Sequence, residues 1–220
     1  MQDLIKQEQF ELEVLDKLNS KKLLNNLIFG GGTMLRLCFG LNRFSVDLDF
    51  WIIKDIDMAK LYKEMWACLE KSYKITDTAN KFYTILFELK SVDYPRSLKI
   101  EIRKEVKQIQ YEEAIAYSKH SNIQVFLKII KLQDMMKAKL KAFLDRKEIR
   151  DIFDIEFLLK KGVSLTASKE DTKKALEIID SFTKKDYQVK LGSLLEEKQR
   201  KYYIASNFKI IKMTLNGNSD

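Results

Sequence analysis

Hydrophobic positions change their spacing several times along the chain. Residues 3–19 set Leu4, Ile5, Phe10, Leu12, Val14, Leu15 and Leu18 among charges, an approximate helical stripe. Leu27-Ile28-Phe29 reads as a short strand running into Gly30-Gly31-Gly32. The next residues predict a helix capped by Thr33 and stopped at Gly40. From Arg43 to Ile53 the spacing drops to two, which predicts a strand. Residues 57–72 predict a second amphipathic helix. Strand-like alternation returns over Lys81–Lys90 and Ser97–Val106, joined by a turn-rich stretch ending at Pro95, and again over Ile123–Ile130. From Lys131 onward the pattern is almost wholly helical, broken near Gly162, around Ser181–Lys185 and near Gly192. The expected fold is α+β, a mixed sheet with flanking helices over residues 1–130, then a helical bundle over 131–220.

The strand from Arg43 carries an oddity. Alternate side chains share a face. One face holds Phe44, Val46, Leu48 and Phe50, and the other holds Arg43, Ser45, Asp47 and Asp49. The two carboxylates then lie about 7 Å apart along the backbone. Like charges on one face repel, and a divalent cation that prefers oxygen ligands offsets that repulsion. Lys99-Ile-Glu-Ile-Arg repeats the device with Glu101. Carboxylates from two neighbouring strands can hold metal for in-line phosphoryl chemistry. Upstream, Gly31-Gly32-Thr33 stands between a strand and a helix start, where unpaired N–H groups and the helix dipole favour a phosphate. An exposed Asp-x-Asp strand and a purely structural glycine turn are the plainer readings of the same residues.

Composition narrows the chemistry. Cys38, Cys68 and His120 are the only cysteines and the only histidine. Such a set makes neither a zinc site nor a visible catalytic triad, so a metal here binds through oxygen. The cysteines read as small core residues and His120 as surface. Charge is uneven: residues 121–220 hold 21 Lys+Arg against 14 Asp+Glu, a net of +7, leaving +1 of the total +8 for residues 1–120. That points to an anionic partner, nucleic acid first, with a solvated lysine-rich surface as the alternative. No apolar run is long enough to cross a membrane, and the acidic start MQDLIKQEQFELEV is unlike a signal peptide. A cytoplasmic location with no membrane contact is the expectation.

Gly31-Gly32-Thr33-Met34-Leu35-Arg36, followed by Arg43-Phe44-Ser45-Val46-Asp47-Leu48-Asp49, resembles the polymerase-β nucleotidyltransferase superfamily, and within it the AbiEii-type toxins of type IV toxin–antitoxin systems. Lys139-Leu140-Lys141-Ala142, Arg146 and Arg150-Asp151-Ile152-Phe153-Asp154 resemble a later motif of that family, with Ala138 where relatives carry Glu. The resemblance spans roughly residues 20–160. It implies a nucleotidyltransferase-like sheet and the transfer of a nucleotide from a nucleoside triphosphate. Asp47, Asp49 and Glu101 would hold Mg²⁺, with Mn²⁺ as a substitute. Gly31, Gly32, Thr33, Arg43, Ser45 and Lys139 would bind the nucleotide. Lys139 and Asp151 join the three acids as catalytic residues. On one helix, Lys139, Ala142, Arg146 and Arg150 would share a face, with Asp151 and Asp154 anchoring the cations. The family further implies tRNA as acceptor and an antitoxin encoded next door. A small-molecule or protein hydroxyl is the alternative acceptor, and a non-catalytic nucleic-acid- or antitoxin-binding module is the alternative class.

Overall fold

The computed structural model describes residues 1–106 and 108–217. The chain divides into two compact units, Met1–Lys131 and Leu132–Asp220. The first contains helices α1 (Gln2–Ser20), α2 (Gly31–Phe39) and α3 (Met58–Leu69). Its strands are β1 (Leu27–Gly30), β2 (Asp47–Ile52), β3 (Lys74–Asn80), β4 (Thr84–Lys90), β5 (Leu98–Arg103), β6 (Tyr111–Tyr117) and β7 (Gln124–Ile130). They form one sheet in the order β3-β4-β5-β2-β1-β7-β6. The β2–β5 and β1–β7 pairs are parallel and the other neighbours antiparallel. This is the expected mixed sheet of an α+β protein.

Strand alternation sorts the faces. Phe29, Leu48, Phe50, Phe87, Ile100 and Ile102 are no more than 1% exposed. Phe29 packs on Phe50 at 5.3 Å, and Tyr62 of α3 stacks on Phe87 at 5.3 Å. Helix α1 packs on β5 and β7, and its Gln7 amide donates to the carbonyls of Val46 and Ser97. Helix α2 ends where Gly40 turns left-handed at φ +76 and donates its N–H to the Arg36 carbonyl. Asp57 caps α3 by accepting from the Lys60 N–H.

Several expectations need correction. Strand β2 begins at Asp47, not Arg43. Arg43 and Phe44 are both buried, so alternation fails over 43–46. Thr33 is not the cap of α2. The helix starts two residues earlier, with Gly30 as its N-cap. Strand β4 starts at Thr84, after a hairpin with β3 that carried no apolar alternation to reveal it. Strand β6 (YEEAIAY) was hidden because small alanines, not large apolar residues, supply its inward positions. Cys38, Cys68 and His120 are half-buried. Burial pushes the Cys38 thiol up to about 12, which removes it as a nucleophile.

The second unit holds α4 (Leu132–Arg146), α5 (Ile149–Lys160), α6 (Lys169–Asp180), α7 (Glu197–Ser206) and α8 (Lys209–Gly217). A π-helical turn, Asp186–Leu191, runs into a 3₁₀ turn at Gly192–Leu194. Lys147 at φ +55 separates α4 from α5. Arg150 therefore lies on a different helix from Lys139 and does not extend its face, contrary to the single-helix expectation. Gly162 at φ +81 ends the run of α5. Phe182, Tyr187, Tyr203 and Phe208 form a ring cluster with centroids 5.2–6.5 Å apart.

Helix α1 buries more than its apolar stripe. Glu8 accepts hydrogen bonds from Arg36 and Ser118. Glu11 is wholly buried, and neither carboxyl oxygen has a hydrogen-bond partner. Burial, then the nearby charge of Glu8, holds its carboxyl well above the usual carboxylate range, with Arg36 opposing and Asp47 adding. The folded state thus binds this proton more tightly than the unfolded chain does. The stability it confers is complete below the unfolded pKa of about 4.3 and is lost as pH rises toward the folded value. Glu11→Met should match wild type near pH 4 and exceed its stability by about 1 kcal/mol or more near pH 8. Equilibrium denaturation across that range checks both points.

Candidate active site

Three consecutive glycines meet four side chains between them. A Cβ on Gly30 would lie 1.8 Å from the Trp51 ring, and one on Gly31 would lie 2.3 Å from Asp49 Oδ2. On Gly32 it would lie 2.5 Å from Arg43 Nη2 and 2.8 Å from Ser45 Oγ. Gly31 also takes φ +75, a conformation costly for any other residue. The backbone of this bend thus rests directly against β2. Helix α2 begins there with no side-chain cap, so its first amides and the positive end of its dipole stand beside the Asp49 carboxylate.

Register completes the face. Asp49 pairs with Glu101 and Asp47 with Lys99 across the parallel β2–β5 ladder, with strands about 4.8 Å apart. The Glu101 carboxylate lies 3.4 Å from Lys99 Nζ and 3.6 Å from Arg103 Nε. The Arg103 guanidinium stands 5.6 Å from the Trp51 ring. Among the described residues, no three His, Cys, Asp or Glu side chains are gathered as a metal cluster. Glu101 is drawn to its two cationic neighbours along β5, while Asp47 and Asp49 share the face. The all-oxygen donor set, beside a cradle that a single Cβ would fill, suits a hard divalent cation once Glu101 turns from those cations.

Thr33 and Arg43 are both buried at this bend. The Thr33 hydroxyl is fully buried and donates to the Asp47 carbonyl at 2.6 Å, so its proton is not offered to a phosphate. Its contribution is to tie the first turn of α2 to the start of β2. Arg43 is 4% exposed and donates to the Phe44 carbonyl at 3.0 Å, with its other nitrogen against Gly32. Ser45 is half-buried.

In the second unit, Lys139 is 7% exposed, with Nζ 2.6 Å from Asp154 and 3.3 Å from Asp151. Arg146 Nη2 contacts both oxygens of Asp151 at 2.9 Å. Two cations on α4 and two acids on α5 form a compact, charge-balanced cluster. The structure therefore brings Lys139 to Asp151 and Asp154 and neutralises it there.

The AbiEii family profile, described as "Nucleotidyl transferase AbiEii toxin, Type IV TA system", matches residues 13–204. The chain belongs to the AbiEii nucleotidyltransferase toxin family. JHP933 from Helicobacter pylori is 22% identical over 93% of this chain and 95% of its own, with a TM-score of 0.49. A second H. pylori structure, solved as a "putative nucleotidyltransferase", is 20% identical over 93% of this chain and 98% of its own, with a TM-score of 0.53. That likeness concerns the fold. Among curated protein sequences, none matches the chain.

As an AbiEii nucleotidyltransferase, the chain takes a nucleoside triphosphate, in a family that typically uses a divalent metal and is paired with an antitoxin. No helix among the described residues is long and apolar enough to cross a membrane. Lys99 and Arg103 stand two residues to either side of Glu101 in the sequence, so its cationic neighbours are readable from KIEIR. Asp154, at 0% exposure, anchors Lys139 as its motif implied.

Removing Lys139 takes a buried ammonium away from two buried carboxylates, Asp151 and Asp154. Lys139→Ala should lower the unfolding free energy by about 3–5 kcal/mol. Urea denaturation measures this directly.

Proposed function

We propose that this enzyme transfers a nucleoside monophosphate from an NTP to tRNA in a Mg²⁺-dependent reaction, and that it is a cytoplasmic toxin held in check by its antitoxin. The observation that supports this best is the Gly31 backbone packed against Asp49, with Asp49 in register with Glu101. Asp47, Asp49 and Glu101 would hold the cation. When bound, it neutralises charge at the reacting phosphate and makes the acceptor hydroxyl more acidic.

The chain's own groups do the rest. The amides of Gly31 and Gly32 receive triphosphate oxygens, with Ser45 and Arg43 behind them. Thr33 keeps that bend aligned with Asp47. The acceptor oxygen bonds to the α-phosphorus and its proton passes to a site carboxylate. The bond to the β-phosphate breaks, and pyrophosphate leaves with the electron pair. Lys139 and Asp151 enter this proposal as the buried pair that fixes α4 against α5. The net +7 of residues 121–220 supports a polyanionic acceptor.

Asp49→Ala should reduce transfer by about three orders of magnitude, since metal-borne charge stabilisation is worth several kcal/mol. Its circular dichroism should remain that of wild type. Incubation with labelled triphosphates and total RNA should place label in the tRNA fraction. EDTA should abolish labelling and Mg²⁺ restore it. Wild-type turnover by Asp49→Ala, or label confined to protein or small molecules, contradicts the proposal.

A further inference from the structure

The hairpin between β3 and β4 turns through Lys81-Phe82-Tyr83. Turns of this length favour Gly, Asn or Asp, and this one has none. Its two aromatic residues are 83% and 73% exposed. Their rings meet edge-to-face at 4.6 Å and stand out in solvent. An isolated exposed ring is ordinary, but two adjacent ones in a turn break both the turn rule and the burial rule.

The backbone beneath them is held firmly. The Lys81 N–H donates to the Thr84 carbonyl at 2.9 Å, and the Lys104 N–H donates to the Tyr83 carbonyl at 3.0 Å. The Lys104 ammonium donates to Asn80 Oδ1 and to the Lys81 carbonyl. A loop fixed on both sides presents its rings; it does not merely fray.

Its location is as informative. Thr84 pairs with Arg103, and Leu86 with Glu101, across β4–β5. The tip therefore begins one strand step past Arg103, whose guanidinium reaches Glu101. By strand geometry Tyr83, level with Lys104, stands about 10 Å along the sheet from Glu101. Residues 80–84 and 103–105 hold Lys81, Arg103 and Lys104 against Glu105, a local net of +2. Aromatic rings between cations, about 10 Å from Glu101, match what a single-stranded nucleic-acid end requires: ring faces for bases and cations for phosphates.

We infer that Phe82 and Tyr83 form a base-stacking platform that docks the single-stranded end of the RNA acceptor beside Glu101, with Lys81, Arg103 and Lys104 along its phosphates. This rests on the RNA-acceptor reading of the proposed function.

The test compares wild type, Phe82→Ala/Tyr83→Ala and Phe82→Trp/Tyr83→Trp. The double alanine variant should raise KM for tRNA roughly tenfold or more with little change in kcat. Its NTP binding by calorimetry and its melting temperature should stay unchanged, because both rings are largely exposed. The tryptophan variant should keep the wild-type KM. Lys81→Ala should flatten the salt dependence of RNA binding by about one phosphate contact. If wild type labels tRNA and the double alanine variant does so with the same KM, the platform is wrong while the acceptor reading stands. The platform is equally overturned if that variant keeps its RNA affinity but no longer binds the purified antitoxin, because the tip would then be a protein-docking site. If wild type binds no RNA even at low salt, the acceptor reading itself fails.

Discussion

The site depends on one close approach, between the Gly31 main chain and the Asp49 carboxylate. No side chain fits between them, and Gly31 sits in a backbone region that other residues enter at a cost of about 1–3 kcal/mol. The contact places the uncapped start of α2 beside a carboxylate. The amides of that first turn and the Asp49 carboxylate are thereby set next to each other. Thr33 closes the same unit from behind by bonding the first turn of α2 to the Asp47 carbonyl. The sheet does the remaining positioning, since the β2–β5 register sets Glu101 beside Asp49.

Charge is managed differently in the two units. On the sheet face, Asp47, Asp49 and Glu101 stand with Lys99 and Arg103, and Glu101 leans toward the cations. Asp47, Asp49 and Glu101 are all half-exposed there. In the helical unit, Lys139, Arg146, Asp151 and Asp154 satisfy one another, three of them in near-complete burial. Pairs of that kind hold helices in one arrangement, and breaking them strands a charge.

Much of this was legible in the sequence. Glycines before a helix, alternation through Asp47 and Asp49, and a repeat of that alternation at Glu101 all reflect local rules, and local rules survive folding. Long-range pairing was less legible. Strand β3 is polar on both faces and β6 is built on alanines, so neither carries an apolar signature. The buried fates of Arg43 and Thr33 also depend on what lies opposite them, and residue type alone pointed both toward a ligand. Lys139 is the more legible case: its motif set Asp151 and Asp154 to anchor the cations, and the fold brings Asp154 to 2.6 Å from it.

The most direct measurement is a crystal soaked with a non-hydrolysable triphosphate and Mn²⁺, read by the metal's anomalous signal. The anomalous peak should fall between the carboxylates of Asp47 and Asp49, with triphosphate oxygens on the amides of Gly31 and Gly32. A peak elsewhere, or a triphosphate bound away from that bend, would contradict the assignment of this face as the catalytic one.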